Sequence, residues 1–206
     1  ALGRWLAHAL RDEIALTGAS DHEVSEALYL RDPDHHGIEI YADRPRERWR
    51  GADGDLLLTT FPLDLEDLLG AVDEPGFEGL PDGTRMGHVH LQVASVPDAV
   101  AFYGDVLELD LMARMGDQAA FLATDGYHHH VGVNTWNSLG AGPPPPGAAA
   151  LREATLVYDD AAGRDRAVAR AADAGQDPEV VESGVRVHDP SGVRLLLAEP
   201  TGVRRS

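Results

Sequence analysis

The feature that most limits how this chain can fold is an internal repeat, which signals tandem copies of one supersecondary unit. Residues 21–41 (DHEVSEALYLRDPDHHGIEIY) read as a strand, an Asp-Pro turn and a second strand. Residues 182–199 (ESGVRVHDPSGVRLLLAE) repeat that order, with Asp32-Pro33 answered by Asp189-Pro190. Each copy closes a unit opened by a helix, predicted at 2–16 and at about 163–174. The second helix ends at Gly175, a residue suited to the left-handed position after a helix.

A third unit lies between them. MGHVHLQV (86–93) alternates as a strand does, and Ser95 with Asp98 opens a helix on which Val100, Tyr103 and Leu107 share a face. Strand-like runs follow at LDLMARM, QAAFLAT and HHHVGVNTW, and the Pro-rich break 142–147 precedes LREATLVY, which opens the last unit. The expected fold class is α+β, with tandem β-α-β-β-β modules forming cup-shaped mixed sheets. The expected organisation is 1–43 as the second module of an N-terminal domain, 44–85 as a connector with one short helix at 64–72, and 86–206 as a C-terminal domain of two modules, 86–138 and 150–200. Because helical spacing starts at Leu2 with no strand before it, the chain is expected to begin inside a domain.

Charge narrows the partners. Seventeen basic against 35 acidic residues give a formal charge of -18, which repels nucleic acid and anionic membranes. There is no run apolar enough to span a bilayer and no signal-peptide pattern, so a cytoplasmic location is expected. Without cysteine, any metal must be held by imidazole and carboxylate.

Alternation then points to candidate ligands. In GHVHLQV, Val89, Leu91 and Val93 are expected to face the helix, leaving His88, His90 and Gln92 on the opposite face. In HHHVGVNTW, Val131 and Val133 form the apolar set, and His128, His130, Gly132 and Asn134 are expected to line the same open face as His88. Neutral imidazole is the commonest metal ligand, although such a cluster can equally be a hydrogen-bonded or solvated feature. Glu153, at the position of the next module equivalent to His88, could complete a site or lie on the surface. Glu39, between Ile38 and Ile40, is expected on the face away from the helix, with Leu196 as its counterpart in the repeat. His22 is its expected neighbour and a candidate acid or base.

The phrases SDHEVSEALYLRDPDHHGIEIYADRP, MGHVHLQV and GYHHHVGVNTW resemble the catechol 2,3-dioxygenase branch of the vicinal oxygen chelate superfamily over nearly the whole chain. That resemblance implies cups built from paired modules around a divalent metal, with Fe(II) held by two His and one Glu; Mn, Ni or Zn are the alternatives. Glu39 matches the Glu, its two histidine partners being expected upstream of residue 1. His22 matches an acid/base histidine, and Tyr29 is carried with it as a catalytic candidate. In the C-terminal pair of modules His88 matches a ligand, whereas Glu153 and Leu196 depart from the pattern, so a rearranged site of His88, His130 or His128, and Glu153 is the expectation there. The resemblance implies ring cleavage of a small aromatic diol by O2. A half-domain with an unpaired sheet edge is expected to pair with another chain, which makes a homo-oligomer the expected assembly. A glyoxalase-type lyase or isomerase and a metal-free ligand-sequestering protein of the bleomycin-resistance type are the alternatives on the same fold.

Overall fold

A computed structural model describes residues 1–73, 76–145 and 147–200. The chain divides into two compact units, Ala1–Met86 and a second beginning at Gly87.

The first unit opens with α1 (Leu2–Arg11), whose Leu2, Trp5, Leu6 and Ala9 are buried at the spacing of one helical face. That face packs on Leu28, with Ala19, Leu30 and Ile40 around it, from a sheet of strand order β3-β2-β1-β4. Strands β1 (Gly18–Glu23), β2 (Ser25–Arg31) and β3 (Gly37–Asp43) form an antiparallel meander. Burying side chains such as Leu6 and Leu28 is worth about 1.5–3 kcal/mol each. Because even-numbered β2 residues point into this core, odd-numbered ones, Tyr29 among them, point to the other face.

The stretch expected to be a connector contains a strand as well as the expected short helix. Leu58–Pro62 forms β4, antiparallel to β1, ahead of α2 (Leu65–Gly70), whose N-cap Asp64 accepts from the Asp67 amide at 3.0 Å. The run Thr59-Thr60-Phe61 is β-favouring, and pairing with β1 gives its backbone groups partners.

In the second unit the module pattern repeats twice. The first module has β5 (Val89–Gln92), α3 (Val96–Ala101), β6 (Asp110–Met115), β7 (Ala119–Ala123) and β8 (Val131–Asn134), in sheet order β5-β8-β7-β6. The second has β9 (Ala154–Val157), α4 (Ala161–Asp173), β10 (Glu179–Val181), β11 (Gly184–His188) and β12 (Arg194–Ala198), in the matching order β10-β11-β12-β9. In both, the first strand runs parallel to the last: Val89 pairs with Val131, and Ala154 with Leu195. The chain is thus an α+β protein of repeated β-α-β-β-β character. The first unit shows the helix and three following strands of the same pattern, with β3 at the sheet edge.

Both modules of the second unit share one core, in which Leu91, Val93, Val131 and Val133 join Ala167, Leu195 and Leu197. Ser95 caps α3 by accepting from the Asp98 amide. Beyond α3 the helix widens into a π turn over Phe102–Val106, which buries Phe102 and Tyr103 side by side. The Tyr103 hydroxyl donates to Asp189 Oδ2 at 3.1 Å, and Asp189 Oδ1 accepts the amides of Ser191 and Val193. Burial pushes the Asp189 carboxyl above its ordinary range, and these donors offset part of that shift. Among the described residues no helix is long and apolar enough to cross a membrane.

Candidate functional site

On the face of the first sheet opposite α1, three side chains from three adjacent strands form a line. Tyr29 stands directly across from Glu39 in the β2–β3 register, and its hydroxyl donates to Glu39 Oε1 at 3.2 Å. His22 shares that face at the end of β1, with Nε2 2.6 Å from the Tyr29 hydroxyl. Its other ring nitrogen, Nδ1, lies 2.6 Å from the Thr59 carbonyl on β4. A carbonyl oxygen can only accept, so this contact assigns a proton to Nδ1.

That assignment leaves the line short of one proton when His22 is neutral. The Tyr29 hydroxyl has a single hydrogen and two acceptors, His22 Nε2 and Glu39 Oε1. When Nε2 is protonated, every link has a donor: Nδ1–H to Thr59, Nε2–H to Tyr29, and the Tyr29 hydroxyl to the Glu39 carboxylate. The arrangement can take up and release one proton with only a hydroxyl rotation. Burial raises the Tyr29 phenol far above its usual range, and the facing Glu39 charge and hydrogen bond add to this, so Tyr29 relays as a neutral phenol.

On the other face at the same end of β1, Asp21 accepts from Arg44, which also reaches Glu26 Oε1 at 3.0 Å. The Arg44 hydrogen bonds hold the Asp21 carboxyl below the usual carboxylate range.

The second unit places its histidines differently from the expectation. The strand expected over HHHVGVNTW begins only at Val131, because Asp125 and Gly126 turn with positive φ and the triplet His128–His130 completes the approach to the strand. Alternation therefore does not extend to His128 and His130. His128 is buried at 1% exposure, with its Nδ1 2.9 Å from His129 Nδ1, and its ring lies beside Tyr127 and His88. His130 instead stacks on Tyr127, and its Nδ1 accepts from the Thr124 amide. His129 packs at 4.1 Å, centroid to centroid, against His88 and also borders His90 and Phe121.

His90 does lie on the open face, opposite Gly132 and between Phe121 and Trp136. A Cβ at position 132 would come within 3.1 Å of the His90 ring, so glycine makes room for it. Asn134 is buried at the end of β8, and its Oδ1 accepts from the Trp136 amide at 3.3 Å.

Glu153 is taken by Arg186, whose Nε donates to Glu153 Oε2 at 2.7 Å. Arg186 pairs with Leu196 in β11–β12 just as Tyr29 pairs with Glu39. The last module thus replaces the Tyr–Glu pair by Arg and Leu. Leu196 lines a mainly apolar concavity of about 380 Å³ with Thr155, Val157 and Ala198. The structure accordingly does not join His88, His130 and Glu153 into one site. Among the described residues no three His, Asp or Glu side chains form a group able to hold a metal. In the first unit His22 uses both ring nitrogens for hydrogen bonds, which leaves Glu39 as its candidate ligand. The described residues do not by themselves make up the donor set of a two-His, one-carboxylate metal site.

Over 191 residues the chain is 42% identical to a protein named Catechol-2,3-dioxygenase from Bacillus subtilis (strain 168), an overlap of 92% of this chain and 67% of that protein. The chain belongs to the catechol 2,3-dioxygenase family. This agrees with the vicinal oxygen chelate resemblance of its sequence phrases. No family model matches the chain.

Solved structures similar to this catechol 2,3-dioxygenase family member include a lactoylglutathione lyase from Agrobacterium tumefaciens. Its TM-score is 0.44 and its identity 21%, and the match covers 58% of this chain and 96% of that one. A glyoxylase/bleomycin resistance protein/dioxygenase domain from Frankia sp. EAN1pec gives a TM-score of 0.45 at 17% identity, covering 56% and 97%.

Two participants escaped the sequence reading of this dioxygenase family member. Thr59 acts through its carbonyl, which every residue type carries, so the β-favouring Thr-Thr-Phe run was the available signal for β4. His129 was set aside by strict alternation, which fails where a turn precedes the strand.

Proposed function

We propose that this protein is an extradiol ring-cleaving dioxygenase, which opens the ring of a catecholic substrate beside its diol using O2. The observation that carries this reading is the His22–Tyr29–Glu39 line, lying on one sheet face of a chain 42% identical to a protein named for that reaction. When bound, a redox-active metal would supply the activation of diol and O2. Fe(II) is the metal proposed, and Glu39 is the ligand this chain would offer; Mn, Ni or Zn would suit the alternative glyoxalase-type lyase or isomerase, which needs no redox change at the metal.

The residues of the line handle the protons. Ring cleavage requires a diol proton to be removed early and a proton to be returned as the ring opens. His22 is the proposed acceptor and donor. Its Nδ1–H stays on the Thr59 carbonyl, so Nε2 is the nitrogen that changes protonation state. When Nε2 takes up its proton the Tyr29 hydroxyl turns from Nε2 to Glu39, so both contacts are made together in the protonated state.

For the second unit we propose a non-catalytic role, because Arg186 occupies Glu153 and Leu196 stands where Glu39 would be. His88, His130 and Glu153, with His90, His128 and Asn134, are then structural side chains. The test is steady-state ring cleavage of catechol, followed by O2 uptake, for His22→Gln and His130→Ala in Fe(II)-supplemented protein. His22→Gln is expected to lower kcat by about 100-fold or more, and His130→Ala to leave it near the parent value. The opposite order would overturn the assignment.

A further inference from the structure

We infer that Arg44 is a positioning residue for His22, acting through Asp21. The inference rests on the reading of His22 as the proton-handling group. It starts from an irregularity: the β1–β4 register shifts between Asp21 and Glu23, so His22 sits in a bulge, the device by which a strand re-aims a side chain. Glu23 has φ +65°, a left-handed conformation unfavourable for a residue with a Cβ. Some contact has to hold the backbone there.

Asp21 provides it. Its Oδ1 accepts the Glu23 amide at 2.8 Å, closing a turn across His22. Asp21 also faces Glu26 directly in the β1–β2 register, an arrangement of like charges that would drive the Asp21 carboxylate out of this turn. Arg44 removes that conflict. Its guanidinium donates to both Asp21 oxygens and to Glu26 Oε1, the forked geometry that suits arginine better than lysine.

Arg44 is itself held at its backbone. Its amide donates to the Val24 carbonyl at 2.9 Å, and its carbonyl accepts from the indole of Trp49, a residue 3% exposed. The chain of constraint runs from Trp49 to Arg44, to Asp21, to the bulge, and ends at the two His22 contacts, with Thr59 and Tyr29. Loss of the clamp is expected to loosen the bulge and free His22 from the Thr59 carbonyl. Asp21 and Glu26 lie on the sheet face opposite Tyr29 and Glu39, so substrate binding should change little.

The test uses Arg44→Met and Arg44→Lys in the full chain. Two readouts are taken: long-range proton–nitrogen spectra of the imidazoles, with His22 identified by His22→Gln, and kcat and KM for ring cleavage. In the parent the His22 signal should be that of a ring protonated at Nδ1. In Arg44→Met it should become a mixture of tautomers, with kcat down about 100-fold and KM changed less than about threefold, while Arg44→Lys falls between. A folded Arg44→Met protein with the parent His22 spectrum and parent kcat would overturn the inference. Should Arg44→Met not fold, Asp21→Ala serves, since it removes the acceptor that closes the turn on the Glu23 amide. The same tautomer mixture is expected there, and an unchanged His22 spectrum would again overturn the inference. The spectra need no turnover, so a shifted tautomer in a protein that cleaves no catechol would reject the functional reading and leave the positioning role standing.

Discussion

Tyr29 lies directly opposite Glu39 in neighbouring antiparallel strands, and its hydroxyl joins that carboxylate to His22. Tyr29→Phe keeps the ring and deletes the bridge. Ring-cleavage kcat is expected to fall by about 10-fold or more, since general acid–base groups contribute about 100-fold or more when intact. Stability should drop by about 1 kcal/mol for the lost hydroxyl contacts. Steady-state kinetics and urea unfolding measure the two effects separately.

The same hydroxyl gives an alkaline signature. The folded Tyr29 holds its proton well above the ordinary value of 10.0, mainly because it is buried, and Tyr158 is pushed up to about 12, also by burial. Above pH 10 the unfolded chain therefore binds fewer protons than the folded one at these sites, and stability falls as pH rises. Urea midpoints collected upward from pH 9 should decline. The decline should be shallower in Tyr29→Phe, where one of these contributions is gone while those of Tyr158 and the buried Tyr103 remain.

His35 and Gly192 occupy the same place in two copies of one turn. Asp32 Oδ1 accepts the amides of Asp34 and His36, just as Asp189 Oδ1 accepts those of Ser191 and Val193. His35 has φ +67° and Gly192 φ +86°. The histidine thus bears a strain that its glycine counterpart avoids. His35→Gly is expected to stabilise the protein by about 0.5–1 kcal/mol and Gly192→Ala to destabilise it by about 1 kcal/mol. Thermal denaturation of the two variants should move in opposite directions.

Much of the fold was legible in the sequence because its signals are local. The two Asp-Pro turns announce themselves by residue type, Ser95 by its capping geometry, and Val89, Leu91, Val131 and Val133 by alternation or apolarity. β4 was not legible, since Leu58–Pro62 becomes a strand by pairing with β1, which lies more than 30 residues away in sequence. The site divides in the same way. Parity put Glu39 on the open face, but the meeting of His22 with Tyr29 depends on a bulge and on how far a phenol reaches along the strand. Glu153 shows the converse: its sequence position matches a ligand, and its actual partner, Arg186, comes from a register that spacing does not reveal.

The buried Tyr103–Asp189 contact binds the helical part of one module to the turn of the next. Tyr103→Phe would leave the Asp189 carboxylate with one donor fewer at a site 3% exposed. A loss of about 1.5–3 kcal/mol is expected, the range for hydrogen bonds to charged groups. Cooperative unfolding monitored in urea checks it. Ring-cleavage kinetics of the folded variant should match the parent, because neither residue belongs to the His22–Tyr29–Glu39 line.

Ring cleavage and its dependence on the His22–Tyr29–Glu39 line can be measured together. Catechol and a known quantity of O2 are mixed with Fe(II)-supplemented protein, and O2 consumed is compared with ring-opened product in parent, His22→Gln and Glu39→Gln. The expected result is one product, opened beside the diol, per O2 consumed by the parent, with both variants strongly impaired. Parent protein that consumes no O2, or variants that match an active parent, would contradict the claim.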